Sequence, residues 1–365
     1  MLKIQDVGVH LVAGFQGTEF SPELSTLIRE FAPGGLILFR RNFESPAQLE
    51  ELVRKIREAS GSRRVFVGVD QEGGRVARFR EHFTEWPPMA DLGLTNDPEL
   101  AERFGYALGS ELAAVGIDWN FAPVMDTNSN PDNPIIGDRS FGDTPDRVER
   151  IGTAVIRGMQ KAGVMACAKH FPGHGHTGDD SHLTLPVVLE AENTLLEREI
   201  PPFLAAIEAG VASIMTAHVV YPVLDLNHPA TTSQVIIGGM LRRAYNYTGL
   251  VVTDDMEMKA ITDRYEFHDA AGMAFLSGID MIMACENPEA QEAIVRTLYD
   301  GRRTNLFSAE TFLAAQRRIE QAATKFPVPS GDPAKIGCGD HRSLSDEIRY
   351  RAKDVRENLG YEIRK

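Results

Sequence analysis

The chain has 365 residues, a formal net charge of −14 and 43% apolar residues. The apolar share suits a large globular core, and the acidic balance argues against a nucleic-acid partner, which needs a basic patch. Three scattered cysteines, Cys167, Cys285 and Cys338, show no CxxC spacing, so neither a disulfide framework nor a zinc ribbon is expected.

The N-terminus, MLKIQDVGVHLVAGFQG, lacks the long apolar core and cleavage site of a secretory signal. No apolar stretch is long enough to span a bilayer. The expectation is a cytoplasmic protein with no membrane partner, acting as a monomer.

Short apolar, β-branched runs then recur along the chain, each followed by a helical pattern. Candidate strands cover 7–14, 35–39, 65–70, 117–124, 164–170, 211–218, 249–255 and 279–285. Helical patterns cover 45–59, 97–115, 144–161, 192–209, 232–246, 267–277 and 288–300. Ser45-Pro46, Asp97-Pro98 and Thr144-Pro145 carry helix-start signals. Near-continuous apolar strands alternating with helices imply a parallel sheet covered on both faces. About eight such units fit a closed TIM-like (β/α)8 barrel in a single domain. A doubly wound sheet is the competing architecture, but residues 13–17, AGFQG, do not form its GxGxxG fingerprint. The expected organisation is a catalytic barrel over 1–325 and a tail over 326–365. That tail begins with Pro327, Pro329, Gly331 and Pro333 and ends in a charged helical pattern, Ser345 to Leu359, packed on the barrel.

Barrel enzymes carry their chemistry at the C-terminal ends of the strands. Here the third strand ends in Asp70, the fifth in Lys169-His170, the sixth in His218 and the seventh in Asp254-Asp255, while Asp126 follows the fourth. Burying so many ionisable groups at one mouth is costly without a polar ligand or mutual pairing. Each alone also reads as a helix cap or a partner for a neighbour, and Asp255 is expected to cap the next helix.

The loop from Lys169 to His182, KHFPGHGHTGDDSH, collects four histidines and two aspartates. Metal ligation is one reading. However, the HxHxDH pattern of metallo-hydrolases is not met, and no metal is expected. His174 and His176 read as residues that hydrogen-bond backbone to shape the loop. In Asp180-Ser181-His182 a carboxylate two residues from an imidazole can orient the ring and raise its basicity, which suits a group that donates and later accepts a proton. An apolar strand that delivers Asp254 to the mouth is a platform for a carboxylate nucleophile.

Six segments together resemble the family 3 glycoside hydrolases, specifically the bacterial β-N-acetylglucosaminidases of peptidoglycan recycling. They are GLILFRRN (35–42), VDQEGGRVARF (69–79), NFAPVMD (120–126), IGDRSFG (136–142), KHFPGHG with DSH (169–182) and VVTDDMEM (251–258). The resemblance implies Asp254 as nucleophile, His182 as general acid/base and Asp180 as the partner that tunes it. It implies that Asp70, Arg78, Arg139, Lys169 and His170 hold the sugar. The implied activity is retaining, exo-acting hydrolysis of terminal β-linked GlcNAc from muropeptides, without a cofactor. A broader-specificity β-glycosidase or a phosphorylase of the same family, a metal-dependent hydrolase using the histidine-rich loop and a non-catalytic sugar-binding barrel are the alternatives.

Overall fold

The computed structural model describes residues 2–178, 181 and 184–358. Ten strands occur among them: β1 Leu11–Ala13, β2 Gly35–Leu38, β3 Phe66–Val69, β4 Gln71–Gly73, β5 Val76–Ala77, β6 Trp119–Asn120, β7 Met165–Phe171, β8 Ser213–Thr216, β9 Leu250–Asp255 and β10 Met281–Ala284. Eight of them close a parallel barrel in the order β1-β10-β9-β8-β7-β6-β3-β2, and β4-β5 is a separate antiparallel hairpin. Each expected strand therefore exists in a closed barrel and not a doubly wound sheet; all are shorter than their apolar runs except β7, which keeps its length and is shifted by one residue.

Residues alternate between the two faces of each strand. Val12, Ile37, Phe66, Trp119, Met165, Met215, Val252 and Met281 fill the barrel interior. Leu11, Leu36, Leu38, Val67, Val69 and Val251 pack outward beneath the helices. Gly68 makes room for a large neighbour: a Cβ there would lie 2.7 Å from the Phe121 ring. Burying each large apolar side chain contributes about 1.5–3 kcal/mol. The one polar group of Trp119 donates to Ser213 Oγ at 2.8 Å, which satisfies it inside the barrel.

The helices follow their start signals unevenly. Ser45 Oγ accepts from Gln48 N, and Asp97 accepts from Glu99 N and Leu100 N, whereas Thr144 makes no cap bond. The pattern over 192–209 splits into Glu192–Arg198 and Ile200–Glu208, because Pro201 and Pro202 bring no N–H to a continuous ladder. Gln234–Ala244 is a wide, i→i+5 helix with Gly238 and Gly239 at its centre. Helices Pro22–Phe31, Met89–Thr95 and Ala309–Lys325 were not expected from the pattern. The last lies across the lower end of the barrel, where Ile319, Ala322 and Phe326 join the interior cluster. The terminal helix runs Gly339–Asn358 and packs on Met89–Thr95 and Pro98–Ala114.

Candidate active site

The mouth is built from the strand ends and the turns that follow them. β3 leads through Asp70 into the β4-β5 hairpin, whose turn is Gly73-Gly74. Both glycines have positive φ, 113° and 53°, a region open to Gly and strained for other residues. Gln71 fixes the returning strand: its Oε1 accepts from Arg78 N at 2.8 Å and Phe79 N at 3.1 Å. The hairpin thereby brings Arg78 back to Asp70, with Nη2 3.3 Å from Oδ2, and turns Glu72 into the barrel mouth.

On β7 the pairing with β8 shifts register between Ala168 and Phe171. Successive strand residues normally face opposite sides, and a bulge re-aims one of them. Lys169 and His170 consequently both face one cavity. On β9 the pairing with β10 shifts between Met281 and Met283, and Thr253 Oγ1 accepts the Met283 N–H in place of a ladder carbonyl, at 2.9 Å. Asp254 follows at that break.

Asp70, Arg78, Arg139, Lys169, His170 and Asp254 line one cavity of about 500 Å³. Apolar side chains complete the lining, among them Ile37, Phe39, Met215, Met258 and Met283. Asp180 and His182 lie outside the described residues. Ser181 between them does line the cavity.

A continuous ionic chain crosses the floor. Lys169 Nζ bridges Asp70 Oδ1 at 2.8 Å and Glu72 Oε1 at 2.7 Å. Arg139 grips both Glu72 oxygens, at 2.9 and 2.8 Å, the bidentate geometry that makes such pairs strong. Burial works against ionising Glu72, but Arg139 and Lys169 outweigh it and hold the carboxyl well below the usual range. Asp70 is likewise held low, burial being overcome by Lys169 and Arg78. Glu72 is a site residue that the strand-end rule missed. Asp126, noticed after the fourth strand but given no role, is a further site residue. Its Oδ1 accepts from His170 N at 3.0 Å and His174 N at 2.7 Å, and its Oδ2 lies 2.7 Å from His170 Nδ1. One buried carboxylate thus orients the His170 ring and pins the start of the histidine loop.

The rings of His174 and His176 are engaged by side chains, not by backbone as expected. His174 Nδ1 lies 2.7 Å from Thr177 Oγ1 and Nε2 3.2 Å from Ser181 Oγ; burial lowers its pKa to about 4. His176 meets Ser129 Oγ at 3.1 Å and Glu190 Oε1 at 2.6 Å. His218 bonds Thr231 Oγ1 at 2.7 Å and the Asp255 carbonyl at 3.0 Å.

The two aspartates ending β9 are in contrasting states. Burial disfavours the Asp254 carboxylate, yet the fields of His170 and His218 and the Asp255 N–H outweigh it, so its pKa is below the ordinary value. Among the described residues it has no ion-pair partner, and its one hydrogen bond is from Asp255 N, 2.8 Å. Asp255 is pushed up to about 7, by burial first and then by Glu257. It accepts from Glu257 N at 3.1 Å, so it stabilises a turn; the next helix begins only at Lys259, after Met258. An ionised, unpaired carboxylate facing a cavity can attack an electrophilic carbon, and the ionic floor offers donors and acceptors in alternation, as vicinal hydroxyls require.

Such a mouth on a closed parallel barrel defines a (β/α)8-barrel enzyme acting on a polar ligand. Comparison with known proteins gives the class. Residues 3–322 match the model of the glycosyl hydrolase family 3 N-terminal domain. The β-hexosaminidase of Thiobacillus denitrificans is 39% identical over 294 residues, covering 79% of this chain and 81% of that protein. β-Hexosaminidase A of Pseudoalteromonas piscicida is 36% identical over 373 residues; the match covers 94% of this chain but only 62% of that longer protein. A family 3 β-N-acetylglucosaminidase from a Paenibacillus species superposes with a TM-score of 0.92 at 38% identity, covering 96% of this chain and 69% of that one. The chain belongs to glycosyl hydrolase family 3, and it is a glycoside hydrolase. No helix among the described residues is long and apolar enough to cross a membrane.

Proposed function

We propose that this chain is an exo-acting, retaining β-N-acetylglucosaminidase. The observation that carries the reading is Asp254, an ionised carboxylate without an ion-pair partner among the described residues, facing the same cavity as the Asp70–Lys169–Glu72–Arg139 chain. The likeness to β-hexosaminidases supports the sugar.

In this reading Asp70, Arg78, Lys169, His170 and Arg139 hold the hydroxyls of one terminal β-linked GlcNAc, and the apolar side chains of the lining receive its C–H face. Missing one such bond leaves a buried charged group unpaired, which makes the site selective. Asp254 attacks the anomeric carbon while His182, tuned by Asp180, protonates the departing oxygen. A covalent glycosyl-enzyme forms. Water, losing its proton to His182, then attacks the same carbon, and two inversions return the β anomer. An imidazole as acid/base avoids placing a second full negative charge beside the nucleophile. No metal or other cofactor enters these steps. The proposed substrate is GlcNAc–1,6-anhydro-MurNAc peptide from cell-wall recycling, hydrolysed by a cytoplasmic monomer in which residues 1–325 form the catalytic barrel.

The test is mass spectrometry after treatment with a 5-fluoro-GlcNAc donor. A covalent sugar on the peptide containing Asp254 is expected. Labelling elsewhere, an α-configured product, or a sugar 1-phosphate when phosphate is supplied would each overturn the scheme. Chelation by EDTA should leave hydrolysis unchanged; its loss would favour a metal-dependent reaction.

A further inference from the structure

We infer that the C-terminal helix Gly339–Asn358 is a brace that fixes Glu72 and Arg139 in the sugar site, through two separate limbs. The inference rests on the proposed role of those groups and of Lys169 as sugar-binding machinery.

The first limb starts on one face of the helix. His341, Ser345 and Arg349 recur every four residues and so point to one side. Ser345 Oγ and Arg349 Nη2 both donate to the Glu85 carbonyl, each at 2.8 Å. His341 Nδ1 lies 2.9 Å from Glu111 Oε1, a buried carboxylate that also accepts from Gly337 N at 3.0 Å, Thr84 N at 3.1 Å and Thr84 Oγ1 at 2.5 Å. Trp86 packs between Phe104 and His341, with ring centroids 5.0 and 6.2 Å away. Residues 84–86 are thereby held to the tail. They in turn grip the sugar-site hairpin: Gly74 N donates to the Trp86 carbonyl at 3.1 Å. A Cβ on Gly73 would lie 2.7 Å from Met89 Cε and 2.9 Å from the Pro87 oxygen, and one on Gly74 would lie 2.8 Å from Pro88 Cα. Glu72 is the residue before this turn.

The second limb runs through Met89–Thr95. Arg356 pairs with Asp91, and Arg351 with Asp97 at 2.9 Å. Gly93 is in backbone contact with Phe141: a Cβ there would sit 1.7 Å from the Phe141 oxygen. Phe141 follows Arg139 by two residues. The two limbs meet in the bidentate Arg139–Glu72 pair. A short two-stranded hairpin is marginal by itself, so its position must come from what packs behind it. Asp254, on β9, lies four strands round the barrel from β3, diametrically opposite the braced side.

A brace predicts a split that general destabilisation does not. In full-length His341→Ala/Ser345→Ala, KM for a chromogenic GlcNAc β-glycoside and Kd for free GlcNAc should both rise about tenfold, with kcat within about twofold. His341→Asn, whose amide replaces the Nδ1 donor, should restore most of the affinity. Ile28→Val, which loosens Pro22–Phe31 against Pro46–Ser60, should lower Tm without moving KM. If the double variant does not fold, Arg356→Gln tests the second limb, with about a threefold rise expected. Unchanged KM in the tail variants, or an equal rise in Ile28→Val, overturns the brace. Arg139→Ala tells the two readings apart: unchanged affinity there removes the sugar-site reading itself, and the brace with it.

Discussion

Lys169→Met tests the ionic floor most directly, because Met keeps the stem and deletes the charge. Lys169 is 2% exposed and, among the described residues, is the only link between Asp70 and Glu72. Without it Asp70 keeps Arg78 and Glu72 keeps Arg139, so neither carboxylate is orphaned. Breaking a buried pair costs about 3–5 kcal/mol; the surviving partners place the loss near the lower bound, about 3 kcal/mol. For 365 residues, with roughly 2.1 cal/mol/K of unfolding entropy per residue, that is a fall of about 4 °C in Tm. The pH dependence carries the sharper test. Asp70 and Glu72 titrate below their unfolded values, so their pairing contributes fully above about pH 4 and is lost as the pH falls through the depressed folded values. Lys169 titrates above its unfolded value, so its contribution is intact below about pH 10 and lost only as the pH rises through the folded one. In the variant the carboxylates are depressed less and protonate earlier. Thermal unfolding followed by circular dichroism should show the full gap between about pH 5 and 9, narrowing as the pH falls from about 4 to 2.5. A gap that stays constant across the acid range, or no gap at neutrality, refutes the bridging role. Hydrolysis should also fall at neutral pH.

Three further perturbations bear on the mouth. Asp254→Asn should reduce kcat/KM by at least about 10³-fold while the far-UV spectrum and Tm stay near wild type, because an amide is a very poor nucleophile; steady-state kinetics check it. Asp126→Asn keeps the oxygen that accepts from His170 N and His174 N, but its amide N–H can meet His170 Nδ1 only if that nitrogen turns from donor to acceptor; about 1–3 kcal/mol of stability should go with the lost carboxylate bond, read by urea titration, together with a rise in KM. Gly73→Ala puts a Cβ on φ 113° against Met89 and Pro87 and should cost about 1–3 kcal/mol. Unlike a surface change it should also raise KM, since Glu72 moves with the turn.

All eight barrel strands could be read because parallel strands buried on both faces leave continuous apolar runs. Their length could not: β6 is regular only over Trp119 and Asn120, and the rest of its expected run pairs through single backbone bonds at Asp118, Phe121, Ala122 and Pro123 and a bridge at Val124. Helix Pro22–Phe31 buries only Leu24 and Ile28, too few for a visible period. Helix Ala309–Lys325 buries Phe312, Ala315, Ile319 and Ala322 at helical spacing, a pattern open to reading beyond the last strand. The rule of strand ends located Asp70, Lys169, His170 and Asp254 in one cavity. It passed over Glu72, which enters the mouth only because the Gly73-Gly74 turn folds its hairpin inward. That turn was visible as a glycine pair, but its direction depends on Pro87, Pro88 and Met89, remote in sequence.

Concentrated charge at the mouth was the argument for chemistry there, and the opposite end of the barrel shows what that argument lacked. Asp118 and Asp280 are fully buried near the lower ends of the strands. Asp118 is held by Arg57 and Arg64 at 3.0 and 2.5 Å, and Asp280 by Arg242 and Arg318 at 2.6 and 2.7 Å. Each also accepts a strand N–H, from Val67 and Val251 respectively. These aspartates tie helices and terminal segments to the barrel, and each is saturated by its own neighbours. Buried charge by itself therefore marks both ends. The difference lies in what remains unsatisfied. Asp254 has neither guanidinium nor ammonium on its oxygens among the described residues, although the protein supplies two arginines to each aspartate below. Paired carboxylates occur at both ends, Asp70 and Glu72 at the mouth as well as Asp118 and Asp280 below. What sets the mouth apart is one more carboxylate, Asp254, kept ionised by surrounding fields and left open towards a cavity.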